Sequence, residues 1–265
     1  MSKKFLTIIW IAICVITIIL IGVCIFSIVK SKVDEIVHPE VTFEIENYGT
    51  VKMELYPEYA PNTVSNFIKL IQNGYYDNKI VYGKDDVCLY IGRDSNGDVQ
   101  NPKLSLIDNS VEADSDSDYE YTIKGEFIAN GFKQNTLSHD KGVVSLIRND
   151  YSNYSSNLTE ESYNSGNSQI GVMMNNNRNL NGVYAGFAKV TEGLDILEKI
   201  YNEAEIKNDD SEEAEGSIQA FNNNITITSA KVDTFGLDYG MPVVQKAFDY
   251  QSYLYNMLSN YYSNE

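Results

Sequence analysis

Residues 54–94 read ELYPEYAPNTVSNFIKLIQNGYYDNKIVYGKDDVCLYIGRD, and this stretch decides the fold. Pro57 and Pro61 interrupt an extended run, and Pro61 stands where a helix begins and a missing N–H costs nothing. Val64, Phe67, Ile68 and Ile71 then recur at helical spacing as far as Gln72. Gly74 supplies the left-handed residue that stops a helix. Upstream, residues 41–46 and 51–55 alternate apolar and polar side chains, which predicts two half-buried strands joined by a turn at Asn47-Tyr48-Gly49. Downstream, strands are predicted over residues 142–147, 169–174, 185–190 and 225–233, with a helix over 193–200. Residues 243–262 carry apolar and aromatic side chains at mixed helical spacing. They predict a C-terminal helix that packs on the domain or docks a protein partner.

Further blocks follow in order: YTIKGEF at 121–127, NGFKQNTLSHDKGVVSLIR at 130–148, GNSQ at 166–169 and LNGVYAGFAKVTEGLDILEKI at 180–200. Together with residues 54–94, they make a chain that resembles the cyclophilin-type peptidyl-prolyl cis-trans isomerases over about residues 41–232. The resemblance implies a mainly β fold, a closed eight-stranded antiparallel barrel with two capping helices. It also implies an activity on X-Pro bonds of proline-containing polypeptides that needs no cofactor and no metal.

The family carries a Phe-His-Arg triplet whose Arg is catalytic. Here the triplet is Val81-Tyr82-Gly83, so the catalytic residue is unassigned. By position, Gln169 fits a backbone-holding Gln and Leu180 a pocket Leu. Leu89 stands for a pocket Met, Cys88 for a pocket Phe, Ile91 for a Gln, and Gly171 for a second pocket Phe. Tyr184 falls at the groove edge. The substrate-binding set implied by the resemblance is therefore Tyr82, Gly83, Leu89, Ile91, Ile147, Gln169, Gly171, Leu180 and Tyr184. A groove without its donor, and with a wide proline pocket, implies weak catalysis. It leaves open a peptide-binding or chaperone module. On this reading Gly83→Arg alone restores little, and adding Cys88→Phe and Gly171→Phe restores more. Lys84 points to the opposite strand face, while Arg93 and Arg148 read as surface charges. His139 and Cys88 lack partners for general-base or nucleophilic chemistry.

The chain has 265 residues, with 37 acidic and 20 basic side chains and a net charge of −17. Residues 33–265 are more acidic still, because residues 1–32 hold four lysines and no acid. Such a charge argues against nucleic acid or an anionic lipid surface as partner. The run from Phe5 to Val29 has no charged residue. At about 1.5 Å per residue it is long enough to cross a bilayer core of roughly 30 Å. It is too long for a secretory h-region, and Val23 is a poor neighbour for a lipidated Cys24. An uncleaved single-pass anchor in the cell membrane is expected, with an extracytoplasmic soluble part. Lysines flank the run equally, so they do not fix its orientation. The expected organisation is an anchor over 1–32, a linker over 33–40, a cyclophilin-like domain over 41–235 and a helical tail over 236–265. The acidic runs at 94–98 and 114–118 miss the EF-hand pattern and read as solvated loops.

Overall fold

The computed structural model describes residues 10, 13–23, 37–98, 101–207 and 217–263. The chain divides into two compact units, Met1–Val37 and His38–Glu265. In the first unit, Trp10 and residues 13–23 are helical and exposed. The remainder of the Phe5–Val29 run lies outside the described residues. No helix among the described residues is long and apolar enough to cross a membrane.

The second unit is built on a closed antiparallel barrel. Its strands are β1 (Glu40–Ile45), β2 (Gly49–Leu55), β3 (Ile80–Lys84), β4 (Cys88–Arg93), β6 (Val143–Leu146), β7 (Ile170–Met173), β8 (Ala185–Glu192) and β9 (Gln219–Asp233). They close in the order β1-β2-β8-β6-β7-β4-β3-β9. The β1–β2 hairpin forms because Asn47 and Gly49 both adopt positive φ, 63° and 124°. Its register, Val41↔Met53 and Phe43↔Val51, buries alternate residues of both strands.

Helix α1 (Pro61–Gln72) buries Val64, Phe67, Ile68 and Ile71, the four residues its periodicity singles out. Phe67 meets Phe43, Tyr76 and Phe187 at ring distances of 6.3, 5.1 and 5.1 Å. The helix has no local N-cap, since Ala60 holds that position. The carboxylate of Glu126 supplies one from a distant loop. It accepts from Asn62 N at 2.9 Å, and from Thr63 N and Thr63 Oγ1 at 2.7 Å each. At the other end Gly74 turns left-handed, and Gly74 N and Tyr75 N donate to the carbonyls of Ile71 and Leu70. Helix α2 (Thr159–Tyr163) follows a loop, and α3 (Leu194–Glu203) packs against β2.

The C-terminal segment departs from expectation. Residues 244–246 are not helical but form β10 (Val244–Lys246), paired with β5 (Tyr121–Ile123). Asn62 clamps the strap's start, with Nδ2 donating to Val243 O at 2.9 Å and Oδ1 accepting from Val243 N at 2.6 Å. A three-residue strand with an open edge offers these backbone groups partners at once. The helix, α4 (Tyr250–Ser263), starts only where Asp249 accepts from Ser252 N at 2.9 Å. Its first turn packs on the domain, with Tyr250 stacked on Tyr151 at 5.1 Å and tilted against Tyr154 at 5.3 Å. Tyr255, Met257 and Leu258 stay exposed.

The acidic loop between β4 and β5 is braced by its own carboxylates. Asp118 accepts from Ser105 N and Asp114 N, both at 2.8 Å, and Lys103 pairs with Asp114 at 2.6 Å. Among the described residues no cluster of His, Cys, Asp and Glu is placed to hold a metal ion.

Candidate functional site

Alternation along four strands sorts side chains between two apolar clusters. Val81, Leu89, Ile91, Val144, Leu146, Ile170 and Val172 point into the barrel. Ile80, Tyr82, Cys88, Tyr90, Val143 and Met173 form a second cluster on the outer face, joined by Ile147 and Leu180. Over that face lies a cavity of 330 Å³. Cys88, Tyr90, Ile147, Met173, Leu180 and Tyr184 give it apolar walls, Asp85 and Arg148 bring charge, and Ile218 closes one side. A site of this size with few polar groups matches small-ligand and side-chain pockets in general.

Three residues of the sequence-derived set, Ile147, Leu180 and Tyr184, line this cavity. Gly171 lies against its wall, and a Cβ there would meet Ile147 Cδ1 at 2.9 Å and Cys88 Sγ at 3.6 Å. The space expected to stand empty opposite Gly171 is therefore filled by Ile147. Leu89 and Ile91 are 0% and 1% exposed in the barrel interior, away from the cavity. The reason is the pleat. Reading residues 83–91 by position puts 88, 89 and 91 on one face, which a pleated strand does not allow, and Cys88–Ile91 pairs with β7 without a break. The β3–β4 pairing itself shifts twice, around Tyr82 and at Gly92, whose φ is 118°.

Gly83 is the second departure. It pairs with Tyr90 on one side and Ala220 on the other. A Cβ at this position would sit 2.5 Å from the Gln219 carbonyl oxygen and 3.0 Å from Ile218 Cγ2. The first residues of β9 thus cover the point from which a longer side chain would emerge. Only glycine fits here without moving backbone.

Tyr82 and Gln169 lie beside the cavity, not on it. Tyr82 is buried and its hydroxyl donates to Gln169 Oε1 at 2.9 Å. The Arg93 guanidinium stacks over the Tyr82 ring at 4.0 Å. Burial pushes the Tyr82 phenol up to about 12, against the pull of Arg93. Lys84 points away from the face, donating to Tyr201 O at 2.6 Å.

Arg148 is not a plain surface charge. Its guanidinium lies 4.6 Å from the Tyr184 ring, 5.1 Å from Tyr163 and 5.7 Å from Phe127. Its hydrogen bonds to Val183 O and Asn149 O are both long, at 3.4 Å. The cavity's carboxylate accepts hydrogen bonds at both oxygens. Asp85 Oδ1 accepts from Val87 N and Cys88 N at 2.8 and 2.6 Å, and Oδ2 from the Tyr90 hydroxyl at 2.7 Å. Burial, with the nearby Asp85, pushes the Cys88 thiol up to about 12, so it stays protonated and unreactive at neutral pH. Ser145, Met173, Asn177 and Ile218 also line the cavity, and the sequence reading did not single them out. For Ser145 a signal existed: it alternates with Val143 and Ile147 and so shares their face.

Comparison with known proteins agrees with this architecture. Residues 40–232 match the family model described as cyclophilin type peptidyl-prolyl cis-trans isomerase/CLD. Peptidyl-prolyl cis-trans isomerase B of Bacillus subtilis is 28% identical over 166 residues, covering 60% of this chain and 89% of the relative. Peptidyl-prolyl cis-trans isomerase-like 2 of Rhizopus delemar is 26% identical over 157 residues, covering 59% of this chain and 24% of the relative. Among solved structures, a cyclophilin type peptidyl-prolyl cis-trans isomerase of Cryptosporidium parvum superposes with a TM-score of 0.54 at 19% identity. It covers 75% of this chain and 99% of its own. A family match across most of the folded unit, on a closed eight-stranded antiparallel barrel, places this chain in the cyclophilin-type peptidyl-prolyl cis-trans isomerase family.

Proposed function

We propose that the His38–Glu265 unit binds X-Pro segments with the proline ring in the 330 Å³ cavity and isomerises them slowly. An X-Pro amide turns over a barrier of ~18–20 kcal/mol. Catalysis requires that the twisted amide be held better than either planar form. An apolar wall of Ile147, Met173, Leu180 and Tyr184 suits the ring. The observation that carries the reading of a slow enzyme is the cover over Gly83. The family's donor position holds no side chain, and Ile218–Gln219 occupies the space in front of it. Losing one preorganised donor costs on the order of a hundred- to a thousandfold in rate.

A second reading, a binding or chaperone module with no useful turnover, rests on the same observation. Exchange spectroscopy on a short Ala-Pro peptide separates the two. Residues 38–265 are expected to broaden the cis and trans signals measurably, at a kcat/KM at least tenfold below the Bacillus subtilis relative. Binding without rate enhancement selects the module. A rate equal to that relative would overturn both.

The apolar run from Phe5 to Val29 supports a tethered protein whose domain works on extracytoplasmic polypeptides. Retention in the membrane pellet after an alkaline carbonate wash is the expected outcome. Recovery of a soluble chain beginning near Ser31 would contradict the tether.

A further inference from the structure

We propose that Arg148 makes the cavity selective for proline segments bearing a carboxylate beside the proline. The inference rests on the reading of the cavity as the proline site and names its substrate class. Like Arg93 and Arg178, Arg148 forms no ion pair among the described residues of this acid-rich chain; what sets it apart is that it lines the cavity, with its two hydrogen bonds going to carbonyls at 3.4 Å. Three aromatic rings hold its guanidinium in place instead. Stacking fixes the plane of the group while leaving N–H donors free for a planar acceptor.

A second observation points the same way. Ser145 is 4% exposed and lines the cavity, and its buried Oγ has no hydrogen-bond partner. An unpaired buried hydroxyl is costly and is satisfied by a bound acceptor. The cavity therefore brings together a cation with no ion pair and a hydroxyl with no hydrogen-bond partner among the described residues. Its one carboxylate, Asp85, is already held at both oxygens by Val87 N, Cys88 N and Tyr90 Oη. The cavity is larger than a five-membered ring needs, which leaves room for a neighbouring short acidic side chain.

The carboxylate has two sources, an Asp or Glu side chain or the free C-terminus of a peptide ending in proline. Fluorescent peptides distinguish them. The amidated set carries Glu, Gln or Lys immediately before or after a single proline, and a further pair ends in Pro as free acid or amide. Binding is read by anisotropy on the full chain in detergent. The Glu peptide of at least one register is expected to bind roughly tenfold or more tightly than its Gln counterpart, the strength of a charge-assisted contact. This preference should fall as salt rises, vanish in Arg148→Gln, reverse towards Lys in Arg148→Glu, and persist in weakened form in Arg148→Lys. Selectivity confined to the free-acid peptide assigns the site to chain ends. Because the whole chain is acidic, long-range charge alone predicts the opposite order.

Equal binding of Glu and Gln peptides overturns the proposal while leaving the proline site standing. So does a Glu preference that survives in Arg148→Gln. Failure of every proline peptide to bind a folded protein overturns the reading of the cavity itself. Unfolding curves of each variant show whether the fold is intact, and the charge-retaining Arg148→Lys keeps the test decisive if Arg148→Gln is unstable.

Discussion

Replacing Gly83 by arginine is the repair that comparison with the family invites, and the structure predicts that it fails. Even Gly83→Ala places a methyl 2.5 Å from the Gln219 carbonyl oxygen and 3.0 Å from Ile218 Cγ2. The carbonyl belongs to a paired strand and cannot swing aside alone. Relief requires β9 to part from β3 at the pairs Gly83↔Ala220 and Lys84↔Gln219. Overpacking of this kind costs about 1–3 kcal/mol. Each ladder hydrogen bond lost adds roughly 0.5–1.5 kcal/mol. For a domain of this size, about 2–4 °C of Tm accompanies each kcal/mol. With one ladder bond lost, Gly83→Ala should therefore lower Tm by about 3–18 °C, and Gly83→Arg by at least as much, with no gain in isomerase rate. Thermal unfolding followed by circular dichroism on residues 38–265, beside the peptide-exchange assay, measures both. A Gly83→Arg protein as stable as wild type and faster on an Ala-Pro peptide would refute the reasoning. It would show that β9 yields freely at its first residues.

Three further outcomes follow from buried groups. Glu126→Ala leaves the N–H groups of Asn62 and Thr63 without their acceptor and should cost roughly 2–4 kcal/mol in urea unfolding, where Glu126→Gln costs less. Burial raises the Glu126 carboxyl above its ordinary 4.5, more than its hydrogen bonds lower it. The wild type's advantage over Glu126→Gln should thus be greatest below pH 4.5 and shrink as pH rises through the raised value; an advantage growing with pH contradicts this. His139 is fully buried, with Nδ1 donating to Asn181 Oδ1 at 3.0 Å and Nε2 unpaired, and burial lowers its pKa. Stability contributed by neutral His139 is present above its ordinary 6.5 and lost as pH falls below it, so Tm should drop between pH 7.5 and 5.5 by more in wild type than in His139→Gln. Cys88 should react with a disulfide reagent at pH 7.5 at least a hundredfold more slowly in folded residues 38–265 than in urea, and equal rates would count against its burial.

The barrel was legible because its signals are local and repeated. Pro61, the 64-67-68-71 spacing and Gly74 fix α1 to the residue, and alternation marks β1, β2, β6, β7 and β8 within two residues, whereas β9 begins at Gln219, six residues before the expected 225. The site was legible only in part. Of the set implied by the resemblance, Ile147, Leu180 and Tyr184 line the cavity. Leu89 and Ile91 lie in the barrel interior, because unbroken alternation over Cys88–Ile91 sends them to the face opposite Cys88 and Tyr90. That alternation is present in the sequence, and position-by-position matching overrode it. Ile218 and Gln219 were invisible to a reading of residues 54–94 because β9 brings them across the barrel from far along the chain. Arg148 was misjudged for a similar reason. Its three ring partners come from separate segments, at Phe127, Tyr163 and Tyr184. Strand β10 was read as helix because three residues are too few to show a period of two.

Strand β1 pairs with β2 at one edge and with β9 at the other, so Glu40 faces both Glu54 and Asp233. On the ribosome this sets a clock. The hairpin can form as soon as Leu55 has emerged, yet its open edge has no neighbour until β9 is made. At ~5–20 residues per second, the stretch from Leu55 to Gln219 takes roughly ten to thirty seconds to synthesise. Through that interval the nascent chain carries an unpaired sheet edge beside Val41, Phe43 and Ile45, the pattern that recruits other strands. Closure, once possible, joins the chain's most distant partners and is slow for that reason. The chain thus depends, during its own birth, on being kept apart from its neighbours.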